Sequence, residues 1–221
     1  MSSSKIEVVT PPVSKALTTF EAAQAELHLT NSDELQRIEW LIKQASGLVA
    51  SYCNQPIVKA RYKETWRRYH YPGFGGWDAP GFGLYLGTYG NRRPLLLSHF
   101  PIKQVVSATC DGVALDIDDI FVEGSGKLQG VWGGGVIAVT YDAGYIAADQ
   151  PNSDLPPEIE RACLDTVSAL WYRSRRGDPT LKSERVDGIG TTEYFDPGAT
   201  GSGPIPLSAM DALSTYRRIN V

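Results

Sequence analysis

The chain has 221 residues, a formal net charge of −4, 42% hydrophobic and 21% charged residues. That balance is ordinary for a globular protein, supports a core without disulfide or metal staples, and argues against a strongly basic nucleic-acid binder. Cys53, Cys110 and Cys163 lie far apart with no C-x-x-C spacing and read as reduced residues. No apolar run approaches the roughly 20 residues of a bilayer span, and the N-terminus lacks a signal-peptide core. Synthesis in the cytoplasm and no membrane partner are the expectations.

Residues 1–16 are Ser-rich at the start, carry Pro11-Pro12 and hold few large apolar residues, which predicts a flexible N-terminal arm. Thr18 and Glu21 have capping-box spacing before Phe20, Ala23 and Leu27, predicting a short helix over 19–28. Ser32 or Asp33 is placed to cap a second helix over 33–53. Its Leu35, Ile38, Leu41, Ile42, Ala45, Leu48, Val49 and Tyr52 recur at helical spacing, and Asn54 and Pro56 end it.

From residue 57 the period changes to two. "KARYKETWRRYHY" sets Tyr62, Glu64 and Trp66 on one face of a strand and Arg61, Lys63 and Thr65 on the other. Neither face is cleanly apolar, as expected of an edge strand or one covered by another subunit. Residues 69–90 then hold 7 of the chain's 22 glycines and 7 of its 22 aromatic residues, with Asp78 their only formal charge. Beyond them, short apolar runs are broken by Asp111-Gly112, Gly124–Gly126 and Gly133–Gly135, and Asp-Gly between strand-like runs marks a hairpin. An antiparallel β region over 57–145 follows.

Pro157, Glu158 and Glu160 open another helix, over 157–176, with Ile159, Ala162, Cys163, Thr166, Val167, Leu170 and Trp171 on one face. Arg173, Arg175 and Arg176 lie at its C-terminal end, suited first to the helix dipole and otherwise to DNA phosphates or an acidic partner. A Gly/Pro/Ser linker precedes a short pattern at Leu207, Met210, Leu213 and Tyr216, ending in Arg217-Arg218. So short a helix is marginal alone in water. It folds back on its own domain or docks in a partner's groove.

Motifs for chemistry fail. "GSGKLQG" lacks the Ser/Thr and the first glycine of a phosphate loop, and "GFGLYLG" misses dinucleotide spacing. Neither "GSG" is a nucleophile elbow. His28, His70 and His99 are isolated, and Asp111, Asp116, Asp118 and Asp119 are out of order for a calcium loop. No metal or cofactor is expected.

The order of the segments resembles the head–tail connector, or adaptor, family of long-tailed bacteriophages. "LTTFEAAQAELHLTNSDELQRIEWLIKQASGLVASYCNQPI" is similar to its opening helix pair and closing Tyr-Cys-type phrase. "LLLSHFPIKQVVSATCDGVAL" is similar to its strand and Asp-Gly turn. "VIAVTYDAGY" followed by "LPPEIERACLDTVSALWYRSR" is similar to its run into a helix, and "PLSAMDALSTYRRINV" to its terminal segment. The resemblance covers 17–57, 94–176 and 205–221, and departs from the family in the long Gly/aromatic loop at 71–91.

The resemblance implies an α+β fold: an N-terminal helix pair and a later long helix packed as a small bundle, an antiparallel β-rich insertion, and an extended C-terminal tail. Over 17–195 it implies a connector domain, followed by a linker and docking segment at 196–221. It also implies a non-enzymatic virion subunit without a cofactor. Such a subunit forms a ring of twelve in the neck, binds the portal protein and extends the channel for genomic DNA without sequence recognition. It gives stopper or tail-terminator proteins a surface. Leu207, Met210, Leu213, Tyr216, Arg217 and Arg218 are then expected to bind the portal. Phe74, Trp77, Phe82, Tyr85 and Tyr89 are expected to meet a neighbouring subunit or the tail. The alternative is a monomeric carbohydrate- or ligand-binding β-rich module that uses Trp77, Phe82 and Tyr85 as its platform.

Overall fold

A computed structural model describes residues 4–29, 34–68, 95–122, 126–129, 135–175, 183–186, 190–193 and 204–218. The chain is mixed α+β with antiparallel sheets, and it divides into two compact units. One comprises residues 1–13 and 59–144, the other 14–58 and 145–221. Residues 17–195, expected as one domain, are therefore shared between the two.

In the first unit, β1 (Ser4–Thr10), β2 (Ala60–Arg68), β8 (Gly135–Ala143), β4 (Ile102–Cys110) and β5 (Val113–Leu115) form a five-stranded sheet in that spatial order. Three short strands, β3 (Leu95–Leu96), β7 (Lys127–Gln129) and β6 (Phe121–Val122), form a second sheet. Alternation decides what is buried. Tyr62, Glu64 and Trp66 on β2 face inward with Ile137, Val139 and Tyr141 on β8 and Val105 and Ala108 on β4. Leu95, Leu97 and Leu128 complete this core. The Asp111-Gly112 turn joins β4 to β5 with φ values of 50° and 80°, the left-handed pair that a two-residue hairpin requires.

Two expectations change here. The arm expected at 1–16 is a strand over Ser4–Thr10, paired antiparallel with β2. Consequently β2 is no edge, because it lies between β1 and β8. The strand escapes a reading based on burial because all seven of its residues are exposed.

The second unit holds α1 (Phe20–Glu26), α2 (Leu35–Cys53), α3 (Pro157–Arg175), the β9 (Ser183–Val186)–β10 (Gly190–Glu193) hairpin, α4 (Leu207–Leu213) and a 3₁₀ turn at Ser214–Tyr216. Thr19 caps α1, its side chain accepting from the Ala22 N–H, whereas Thr18 is buried and makes no such bond. The helices share one apolar core. It includes Leu17 and Ala23 beside α1, Ile38, Leu41, Ile42, Ala45 and Val49 of α2, Ile159, Ala162, Val167 and Trp171 of α3, and Ile205, Ala209 and Leu213. Residues 14–58 and 145–221 are stitched by the Tyr145 N–H to the Ile57 carbonyl at 2.8 Å and the Ala148 N–H to the Ala16 carbonyl at 3.2 Å.

Candidate functional site

The C-terminal segment lies on the end of α2. Helix α2 stops at Asn54, whose φ of 54° turns the chain left-handed and leaves the last helical carbonyls without intrahelical donors. The C-terminal segment fills that vacancy. The Arg218 N–H donates to the Cys53 carbonyl at 2.8 Å. Three side chains of the same turn hold the segment's own carbonyls. Tyr52 Oη donates to Met210 O at 3.2 Å, Gln55 Nε2 to Tyr216 O at 3.1 Å, and Asn54 Nδ2 to Arg218 O at 3.4 Å. The Arg217 guanidinium stacks 5.4 Å from the centre of the Tyr52 ring. Tyr216 Oη reaches Glu158 at 3.3 Å; burial and the neighbouring carboxylate both push this phenol above its ordinary pKa.

The phrase "SYCNQP" and the ending "TYRR" are therefore two halves of one contact. The buried face of α4 differs from the expected stripe. A spacing of three falls about 60° short of a full turn at each step, so Leu207, Met210, Leu213 and Tyr216 spread around the helix. Ala209 and Leu213 face inward, Met210 and Tyr216 are half-buried, and Leu207 is 49% exposed. Arg217 is exposed and Arg218 half-buried. Phe74, Trp77, Phe82, Tyr85 and Tyr89 lie outside the described residues.

Of the arginines at the end of α3, Arg175 is engaged locally. Arg37 and Arg175 lie over Trp171, 5.1 and 4.5 Å from its ring centre, and Arg175 pairs with Glu34 at 2.7 Å. Arg37 Nη2 also donates to Ser174 Oγ at 2.7 Å. Arg161 joins Glu26 to Asp165 at 2.9 and 2.8 Å. Arg176 lies outside the described residues.

One buried polar cluster escaped sequence reading. Glu64 is fully buried in the β unit and accepts from Ser98 N at 2.9 Å, Ser98 Oγ at 2.6 Å and Tyr141 Oη at 3.1 Å. Burial first, and Glu64 second, push the Tyr141 phenol far above its ordinary pKa. The signal in the sequence was a lone carboxylate on the Tyr62/Trp66 face of β2; its donors lie 34 and 77 residues away. Three donors on one enclosed carboxylate make a stabilising network. The turn carboxylates serve the backbone instead, Asp111 accepting from Val136 N at 2.7 Å and Asp116 from Asp118 N at 3.1 Å. Among the described residues no cluster of His, Cys, Asp or Glu has the makings of a metal site, and no helix is long and apolar enough to cross a membrane.

No protein-family model matches the chain, and a search of curated proteins gives no match. Solved structures do match. A chain of "Neck of empty GTA particle computed with C6 symmetry" superposes with a TM-score of 0.54 at 12% identity, covering 98% of this chain and 97% of that one. A chain of "Virion of native gene transfer agent (GTA) particle" gives 0.54 at 10% identity, over 98% and 96%. One of "Neck of native GTA particle computed with C12 symmetry" gives 0.51 at 12%, over 98% and 97%. At such identities the likeness concerns the fold.

Proposed function

We propose that this protein is a structural subunit of a phage-type virion neck: a head–tail connector that forms a ring beneath the portal, extends the DNA channel and presents a surface to tail-side proteins. The observation that carries the reading is the end-to-end likeness of fold to chains from gene transfer agent necks, one with C6 and one with C12 symmetry. The order of the sequence segments supports it independently. The role is non-enzymatic, and twelve copies form the ring.

The C-terminal segment is the portal-binding element in this reading. Its contacts with the α2 turn are chiefly hydrogen bonds and one stacked cation, and its helix is seven residues long. The segment also buries Ile205, Ala209 and Leu213 in the helical core, so its release costs that burial, which a groove on the portal has to replace. Released, it offers Leu213, Met210 and Tyr216 to a groove on the portal, with Leu207, Arg217 and Arg218 at the rim. The Gly/aromatic loop at 71–91 meets a neighbouring subunit or tail protein. DNA passes a mildly acidic lumen that repels its phosphates and keeps it sliding.

The test is deletion of 205–221, followed by co-sedimentation with purified portal. Portal binding should vanish while circular dichroism shows a folded domain. A truncated chain that binds the portal as well as the full one removes the segment from the interface.

A further inference from the structure

The five-stranded sheet ends in two edges that, among the described residues, carry no further strand. At one end, β1 bonds β2 through its inner side only, and all seven of its residues are exposed. Ile6, Val8 and Val9 are 40%, 57% and 52% exposed, so this strand adds no buried side chain to its own core. At the other end, β5 covers β4 only over Ala108–Cys110. The outer side of β4 over 102–107 has no strand neighbour among the described residues. Open edges are templates for another strand.

Strand direction makes the two edges complementary. β1, β2, β8 and β4 are successive antiparallel neighbours. In four alternating strands the first and last run in opposite senses. A second copy set head-to-tail, its sheet continuing the first, therefore lays its β1 antiparallel to β4. The incoming strand also runs in the same sense as β5, end to end with it along one edge. β1 is seven residues long, one more than the 102–107 stretch of β4 that β5 leaves uncovered. A cleft of ≈ 370 Å³, lined by Ile102, Val105, Ile117, Ile120 and Val122 with polar neighbours, lies beside that stretch and suits the apolar side chains of β1.

We propose that β1 of one copy adds as a strand to the outer edge of β4, at 102–107, of the next copy, so that one sheet continues from subunit to subunit. Main-chain hydrogen bonds supply the affinity and the cleft supplies the register. The contact joins two different surfaces, so it propagates into a ring or a filament instead of closing a pair. The inference rests on the ring-subunit reading and gives it a subunit contact. Register shifts insert Lys103 and Val106 as extra residues in β4 opposite β8. These bulges twist the edge and keep a single contact weak, so closure of the ring multiplies its effect.

Disulfide trapping tests this in the full-length chain. Cys110→Ser leaves only the buried Cys53 and Cys163 as background thiols. Ile6→Cys and Gln104→Cys are added together and oxidised with the chain assembled on purified portal; Val8→Cys and Gln104→Cys cover a register shifted by two residues, which keeps the same side chains on the same face. A ladder of covalent multimers on a non-reducing gel is expected, with only dimers when the two single variants are mixed. Dimers from Ile6→Cys alone mean that β1 pairs with β1, which overturns the proposal. Rings in negative stain without a ladder in either register also overturn it, while leaving the ring reading intact. Neither rings nor ladder overturns both. A chain lacking residues 1–10 gives a second readout. It should unfold cooperatively as before yet fail to close rings, and rings from that chain would refute the proposal.

Discussion

Weakening the seat of the C-terminal segment without touching the segment separates its two roles. Tyr52→Phe with Gln55→Ala deletes the donors to Met210 O and Tyr216 O, at 3.2 and 3.1 Å. A net hydrogen bond is worth about 0.5–1.5 kcal/mol, so the pair loosens the seat by roughly 1–3 kcal/mol. At 1.4 kcal/mol per factor of ten, the released population rises about 5- to 150-fold. The buried face formed by Ala209 and Leu213 is unchanged in composition. Hydrogen exchange with mass spectrometry reads the release directly: the peptide spanning 204–218 should lose protection by that factor, while α2 and α3 keep theirs. If the portal takes the released segment, its apparent affinity rises by up to the same factor, since less of the binding energy goes to undocking. Faster exchange with unchanged or weaker portal binding would refute the reasoning.

Three further outcomes follow from the same structure. Glu64→Ala strands three buried donors, at about 1–3 kcal/mol each before relaxation, so chemical denaturation should show a loss of roughly 3–5 kcal/mol. A loss under 1 kcal/mol would mean the network is not closed as described. Gly135→Ala should destabilise by roughly 1–3 kcal/mol, because Gly135 has a φ of 114° and its Cβ would meet the Asp111 carboxylate that holds Val136 N; an unchanged melting temperature contradicts this. Asp142, bonded to Arg61 at 2.7 and 3.0 Å, is held below the usual carboxylate range chiefly by that arginine, against an opposing effect of burial. A depressed folded-state pKa stabilises above the unfolded value and loses that contribution as pH falls through the folded one. The stability gap between the native chain and Asp142→Asn should therefore be widest near neutral pH and close below about pH 4. A gap that is flat with pH would remove the ion pair from the account.

What was legible follows from what each element buries. α2 shows itself because Ile38, Leu41, Ile42, Ala45 and Val49 mark one helical face and all are buried. β4 and β5 show themselves through Asp111-Gly112, a signal contained in two residues. β1 hides because its backbone pairs with a strand more than 50 residues away and none of its side chains is buried to mark an inward face. The seat of the C-terminal segment hides for a related reason. "SYCNQP" reads as a helix end and "TYRR" as a basic ending, but their pairing spans some 160 residues. The spacing of three in the C-terminal stripe misleads, since it mixes the buried Leu213 with the exposed Leu207. Glu64 reads as a flaw in an otherwise buried face until Ser98 and Tyr141 are brought to it.

The central claim is that this chain closes into a ring on a portal. The most direct measurement is cryo-electron microscopy of the full-length chain mixed with the portal protein of its own particle. The account predicts a closed ring of this chain stacked coaxially beneath the portal, with the C-terminal segment in contact with it. Portal particles that stay bare at saturating concentrations of this chain would contradict the account.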